Sequence, residues 1–311
     1  MAHAFIFPGQ GSQKAGMGAS LADAFPAARF VFEEVDDVLG QKLSALMREG
    51  PMETLTLTAN AQPALLAHSM AAMRVLETEA GVDVKDALFV AGHSLGEYSA
   101  LCAAGAFTLA DAVRLVRLRG EAMQAAAPLG QGAMAALIGI DLKKAQDAID
   151  ATAPDGVCEI ANDNAPGQVV ISGAKARVEA VCAKAKTFGA KQAKLLPVSA
   201  PFHSSLMQPA AKRMAAALEE AVLHAPRTPL VANVTATAAQ TPEAIRDLLV
   251  RQIAGRVRWT ESVAYMAQRG CARFIEVGPG KVLSGLVKRI RRDVETINVG
   301  EAADITAFGT V

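Results

Sequence analysis

The residues best suited to chemistry lie in one short stretch, Gly92-His-Ser94-Leu-Gly96, followed by Glu97-Tyr98. Its G-x-S-x-G spacing suits a nucleophilic serine on a sharp turn. Before it runs the apolar, strand-like Leu88-Phe-Val-Ala91, and after it the helical Ala100-Leu-Cys-Ala-Ala104. A strand that stops and a helix that starts at one serine lift its hydroxyl clear of the sheet. The flanking glycines leave room where side chains would meet neighbouring backbone. The helix start also points N–H groups and the positive end of its dipole at the same spot. The N–H of Leu95 is thus the natural first donor to an oxyanion formed there. The same five residues also suit an ordinary strand-to-helix turn whose glycines serve packing alone.

A serine at its ordinary pKa needs a base. The chain has five histidines. His3 lies at the terminus, His68 sits among apolar helix neighbours, and His224 follows a helix end. His93 adjoins Ser94, and consecutive residues at a sharp turn point apart. His203 stands in Ser199-Ala-Pro-Phe-His-Ser204, between a strand and a helix. Loops at a sheet edge commonly present bases, which makes His203 the candidate. An orienting acid is harder to place. No Asp or Glu is near His203 in sequence, and Asp247 and Asp293 fall on expected helix surfaces. Gln252 or a backbone carbonyl could hold the imidazole instead.

Arg119 is the third anomaly. On the helix expected from Leu109 to about Ala127, Arg114, Arg117, Glu121 and Gln124 share a polar face. Arg119 points the other way, among Ala112, Leu115, Val116, Ala122 and Met123. A buried arginine is costly unless paired. Two partners suit it: a carboxylate of the protein itself, or the carboxylate of a substrate held bidentately. Two glycine turns, Gly9-Gln-Gly-Ser-Gln13 and Glu276-Val-Gly-Pro-Gly280, follow strands but match neither the P-loop nor the dinucleotide fingerprint. They read as tight turns, with the N–H of Gln10 able to join Leu95 in an oxyanion hole.

These groups need a scaffold. The first part alternates strands and helices: strands Ala4–Phe7 and Ala87–Gly92, helical periodicity over Leu21–Leu39, and a long helix capped at Asn60 and ending near Ala80. Short buried strands between helices predict a mostly parallel sheet covered on both faces. From Pro128 to Pro197 the order changes to β-α-β-β-α-β, the ferredoxin-like pattern, after a possible hinge at Gly130-Gln-Gly132. The alternation then resumes, with His203–Leu223 helical, Leu230–Val234 a strand, and the last dozen residues a loose tail. The fold class is α/β. A large domain of residues 1–127 and 198–311 would carry a small inserted domain of residues 128–197.

Bulk properties narrow the partners. The 311 residues are 51% hydrophobic, which fits a packed globular enzyme. Lys plus Arg equals Asp plus Glu at 31 each, so overall charge gives no argument for nucleic acid. The four cysteines form no CxxC pair, which argues against a disulfide framework or zinc site and for a reduced, cytoplasmic setting. No apolar run reaches the ~18 residues of a membrane span, and the start lacks signal-peptide character.

With these pieces assembled, the chain resembles malonyl-CoA:acyl carrier protein transacylases along nearly its whole length. The matching motifs are Phe7-Pro-Gly-Gln-Gly-Ser-Gln13, Gly92-His-Ser-Leu-Gly-Glu-Tyr98, Arg119-Gly120 and Asn164-Ala-Pro-Gly-Gln168. Ser199-Ala-Pro-Phe-His-Ser204, Gln252 before Trp259-Thr260, and Glu276-Val-Gly-Pro-Gly-Lys281 complete the set. The resemblance implies an α/β-hydrolase-like core with a ferredoxin-like insert. It implies Ser94 and His203 as the catalytic pair and Arg119 as the partner of the malonyl carboxylate. Gln10 and Leu95 are implied oxyanion donors, Gln252 and Asn162 substrate-site residues, and Phe202 the malonyl-selective form of its motif. The implied reaction passes through a malonyl-serine ester and needs no metal or other cofactor, coenzyme A thioester being a substrate. A serine thioesterase or esterase would share the same turn, and a carrier-binding scaffold with a degenerate site is a non-enzymatic rival. The protein is expected to act as a monomer. Because acyl carrier proteins are acidic, docking is expected on Lys288 and Arg289 beside Arg291-Arg292, or on Lys184, Lys186, Lys191 and Lys194.

Overall fold

Three short runs set the main sheet: Ala4–Phe7, Phe89–Gly92 and Phe274–Val277, each buried at every position. Strands buried on both faces need helices above and below. The computed structural model describes residues 1–128, 130–152, 155–198 and 200–308. Its elements begin with β1 (His3–Phe7), α1 (Ala19–Ala24), α2 (Pro26–Leu39), α3 (Leu43–Glu49), α4 (Met52–Thr56) and α5 (Thr58–Ala80). Then come β2 (Phe89–Gly92), α6 (Gly96–Ala103) and α7 (Leu109–Ala125). The middle holds β3 (Gly132–Ile138), α8 (Leu142–Asp150), β4 (Cys158–Ala165), β5 (Gln168–Ala174), α9 (Lys175–Lys184) and β6 (Gln192–Leu195). The chain continues with α10 (Gln208–Glu220), β7 (Leu230–Val231), β8 (Ala238–Ala239), α11 (Pro242–Ala254) and α12 (Trp259–Gln268). It closes with β9 (Arg273–Val277), α13 (Val282–Ile290), β10 (Glu295–Val299) and α14 (Ala302–Phe308).

The main sheet has the order β10-β9-β1-β2-β7-β8. All its pairings are parallel except that of β8, which lies antiparallel on β7. Strand alternation divides its side chains. Phe5, Phe7, Val90 and Ile275 face one core, with α2, α5, α7 and α10 over them. Ala4, Ile6, Ala91 and Phe274 face a second core against Trp259, Val263 and Val287. The second sheet is antiparallel throughout, with the order β4-β5-β3-β6. One of its faces, with Ala135, Leu137, Val169 and Ile171, packs on α8 and α9. Its opposite face carries Met134 and Val170 towards Ser94. Backbone lacing joins β4 to the segment between α11 and α12: Val257 N–H donates to Ala161 at 2.8 Å, and Asp163 N–H donates to Val257 at 2.9 Å.

Several expectations need correction. Asn60 does not cap α5. The helix starts at Thr58, and Asn60 is buried in its first turn, donating to the Thr54 carbonyl at 2.9 Å. The periodicity over Leu21–Leu39 spans two helices, because Phe25 is extended before Pro26, as a residue ahead of proline tends to be. Helices α3 and α4 were not legible as elements. The strand expected to reach Val234 ends at Val231. His203 is not helical: its φ is 57°, and α10 begins only at Gln208. Gly132, read as part of a hinge, opens strand β3. The expected loose tail contains α14, anchored by buried Ile305 and by Asp304, which accepts the N–H groups of Gly300 and Glu301. The last three residues of that tail lie outside the described residues, as does Ser199 of the histidine motif.

Candidate active site

Ser94 sits where β2 ends and α6 begins, with φ at 54°. That left-handed conformation is costly for a residue with a side chain and marks a functional turn. Its glycines are required sterically. A Cβ on Gly92 would lie 1.9 Å from the Gly96 carbonyl, and one on Gly96 would lie 2.2 Å from the Phe7 carbonyl oxygen. Asn233 clamps the turn from outside. Its Oδ1 accepts the Ser94 N–H at 2.8 Å, and its Nδ2 donates to Gly92 at 2.7 Å.

His203 comes to the serine from the turn before α10. Its Nε2 lies 2.7 Å from Ser94 Oγ. On the other side of the ring, Nδ1 faces the carbonyls of Gln252 at 2.9 Å and Gly255 at 3.1 Å. Carbonyls only accept, so Nδ1 carries the proton and Nε2 has its lone pair free for the serine hydroxyl. No carboxylate bonds this ring among the described residues; main-chain oxygens do the orienting. Burial first, and then the nearby Arg119 cation, push His203 down to about 3. The imidazole is therefore neutral and able to take a proton.

Arg119 is 1% exposed. Its Nη1 donates to Gln62 Oε1 at 2.7 Å, and its Nη2 to Gln252 Oε1 at 2.8 Å and to Ser94 Oγ at 3.1 Å. Its Cζ stands 5.7 Å from the Tyr98 ring centroid. Among the described residues no carboxylate forms an ion pair with it, and its Nε has no partner. The cation is held by neutral groups beside the nucleophile, with donor capacity left over. Gln252, fully buried on α11, knits the site together. Its Nε2 donates to Ser94 O at 2.8 Å and to Glu97 Oε2 at 2.7 Å.

Ser94, His203, Arg119 and Gln10 line one cleft of about 430 Å³. Phe202 lines it too, with Met134, Asn162, Asn164 and Val170 from the antiparallel sheet. Gln10 is tied to the start of α5 by Thr58 Oγ1, which donates to its Oε1 at 2.9 Å. The side chain of Leu95 is buried in the core, and its main chain stands at the N-terminal end of α6. Asn164 Oδ1 bonds His93 Nε2 at 2.8 Å. Lys288 and Arg289 lie on α13, outside the cleft lining. Lys288 donates to the Val294 carbonyl, and Arg289 donates to Gln168 at 2.8 Å. The second glycine turn serves structure: Glu276 accepts the N–H groups of Leu283 and Ser284 and caps α13. Among the described residues no cluster of three or more His, Cys, Asp or Glu could hold a metal, and no helix is long and apolar enough to cross a membrane.

Sequence reasoning missed Gln62, Asn233, Gly255 and Glu97 as members of this network. A signal existed for three of them. Gln62 interrupts an apolar helix run, Asn233 interrupts the apolar run Leu230–Val234, and Glu97 lies three residues past the nucleophile in a run without another charge.

A serine turn over a parallel sheet, a neutral histidine and a cleft between two sheets suit acyl transfer. A family model described as an acyl transferase domain matches residues 4–306. The malonyl CoA-acyl carrier protein transacylase of Escherichia coli (strain K12) is 50% identical over 287 residues, covering 92% of each chain. The transacylase of the same name from Bacillus subtilis (strain 168) is 46% identical over 303 residues, 97% of this chain and 94% of that one. An acyl-carrier-protein S-malonyltransferase from Bartonella henselae has the same fold at a TM-score of 0.96 and 55% identity, covering 99% of this chain and 98% of that one. A malonyl-transacylase solved in complex with its type II PKS acyl carrier protein matches at 0.96 and 44% identity, covering 100% and 99%. The chain belongs to the malonyl-CoA:acyl carrier protein transacylase family.

Proposed function

We propose that this protein moves the malonyl group of malonyl-CoA to the phosphopantetheine thiol of acyl carrier protein through an ester on Ser94. The observation that carries the reading is the meeting of a neutral base and an unpaired buried cation at one hydroxyl. His203 Nε2 takes the Ser94 proton as Oγ attacks the thioester carbonyl. The N–H groups of Gln10 and Leu95 hold the oxyanion. The C–S bond breaks, and the coenzyme A thiolate leaves with the proton from His203. In the second half, the carrier thiol gives its proton to His203 and its sulfur attacks the ester. The bond to Ser94 Oγ breaks, and the proton returns to that oxygen. Arg119 pairs with the free malonyl carboxylate. Gln252 steadies Arg119 through its side chain and His203 through its carbonyl. Asn162 and Phe202 shape the cleft, with Phe202 disfavouring a methylmalonyl group. No metal or redox cofactor takes part.

In this reading residues 1–127 and 198–311 form an α/β-hydrolase-like catalytic domain, and residues 128–197 a ferredoxin-like insert. The β-α-β-β-α-β order of β3 to β6 supports the latter. The carrier docks on Lys288 and Arg289, and the protein works as a cytoplasmic monomer. Incubation with malonyl-CoA, with and without acyl carrier protein, tests the function. Malonyl-carrier thioester should form only when both are present. Continuous release of free malonate without carrier would mark a thioesterase instead.

A further inference from the structure

Among the described residues Glu97 is the one carboxylate hydrogen-bonded to this network, and the transfer steps do not use it. It is 0% exposed, on the first turn of α6. Its Oε2 accepts from Gln252 Nε2 at 2.7 Å and from Asn233 N–H at 3.3 Å, while its Oε1 has no partner. Building a lone carboxylate into a dry core is costly, so its contacts call for a reason. The amide of Gln252 supplies one. An amide has a donor end and an acceptor end, and rotation by half a turn exchanges them. Here the donor end faces two acceptors, Glu97 Oε2 and the Ser94 carbonyl. The acceptor end faces Arg119 Nη2. The reversed amide would turn its NH₂ towards the guanidinium and its oxygen towards two oxygens.

We infer that Glu97 is a positioning residue for selectivity: its carboxylate locks the Gln252 amide so that the amide oxygen, and not a protein carboxylate, holds Arg119 beside Ser94. The arrangement runs carboxylate, amide, guanidinium. One neutral amide separates the two charges, which leaves Arg119 in place yet free of an ion pair that would compete with an anionic acyl group. Burial pushes the Glu97 carboxyl up to about 7. A proton there would sit on the unpartnered Oε1, and Oε2 would still accept from Gln252. The acceptor oxygen is therefore what matters, and a neutral acceptor of the same shape should serve.

This inference rests on the proposed malonyl transfer, and its test separates the two. Ser94 acylation by malonyl-CoA and by acetyl-CoA is followed by intact-protein mass spectrometry in the whole protein, in Glu97→Gln and in Glu97→Met. Glu97→Gln should keep the malonyl-to-acetyl rate ratio within about threefold, and Glu97→Met should lower it by about tenfold or more. A ratio unchanged in Glu97→Met, or lowered equally in both variants, overturns the inference while malonyl transfer by the unaltered protein stands. If the unaltered protein is not acylated by malonyl-CoA, both readings fall. Should Glu97→Met not fold, the pair Gln252→Met and Glu97→Met/Gln252→Met decides, because with Gln252 already changed, Glu97 has no amide left to act through. Equal ratios in that pair support action through Gln252. A much lower ratio in the double variant overturns it.

Discussion

The floor and the roof of the cleft hold their residues in different ways. On the floor, Ser94, His203, Arg119, Gln252 and Gln62 are bonded to one another at 2.7–3.1 Å, and all but Ser94 are almost wholly buried. On the roof, the antiparallel sheet offers Met134 and Val170 beside Asn162 and Asn164, with a single polar tie to the floor, from Asn164 to His93 at 2.8 Å, among the described residues. Buried polar networks hold their members in place, because breaking a bond in a dry setting is expensive. Apolar walls fix shape but not the direction of a proton. The reacting atoms are thus set by the parallel-sheet side, and the smaller sheet shapes what can approach them.

Breaking the floor should cost most. Arg119→Ala should lower malonyl transfer by roughly two to three decades, as for loss of a buried charge pair, while acetyl transfer is kept or gained. Steady-state rates with both thioesters measure this. An equal loss for the two acyl groups, in a folded variant, would make Arg119 a structural cation only.

A milder perturbation is pH. His203 has a folded pKa of about 3 against an ordinary 6.5, with burial as the main cause. The folded state therefore resists protonation that the unfolded chain accepts. The stability from this group is fully present above 6.5 and is lost as pH falls from there towards about 3. Buried His68, pushed down to about 4, acts in the same direction. Between pH 7 and 5 the rate of Ser94 acylation should hold, with the melting temperature followed in parallel to exclude unfolding. A tenfold fall in rate per pH unit beginning near 6.5 would show that His203 titrates as an exposed imidazole.

The smallest effect belongs to the rim. Reversing Lys288 and Arg289 to glutamate should slow transfer to acyl carrier protein several-fold and flatten its salt dependence, as rim charges act on encounter. Acylation by malonyl-CoA should change little. Quenched-flow measurement of each half-reaction checks this, and an unchanged carrier rate at every salt concentration would remove this cluster as the dock.

The same contrast explains what could be read from the sequence. The turn around Ser94 was legible because strand, glycines and helix are local and sterically forced. The strands β1 and β9 were legible as short apolar runs. Arg119 stood out because a helix repeats every ~3.6 residues and leaves one cation on the wrong face. Its partners were not legible, since Gln62 and Gln252 meet it only through tertiary packing. The same holds for the carbonyls of Gln252 and Gly255, which any residue could supply to His203. Helices α3 and α4 are too short to show a period, and α14 depends on docking Ile305 rather than on its own pattern.

The central claim is that Ser94 carries the malonyl group between two thiols. Malonyl-CoA alone, without carrier, should leave one malonyl group on the protein, and peptide mapping should place it on Ser94. Adding acyl carrier protein should clear the label as malonyl-carrier forms. A label mapped to a cysteine, or one that still accumulates in Ser94→Ala, would contradict the account.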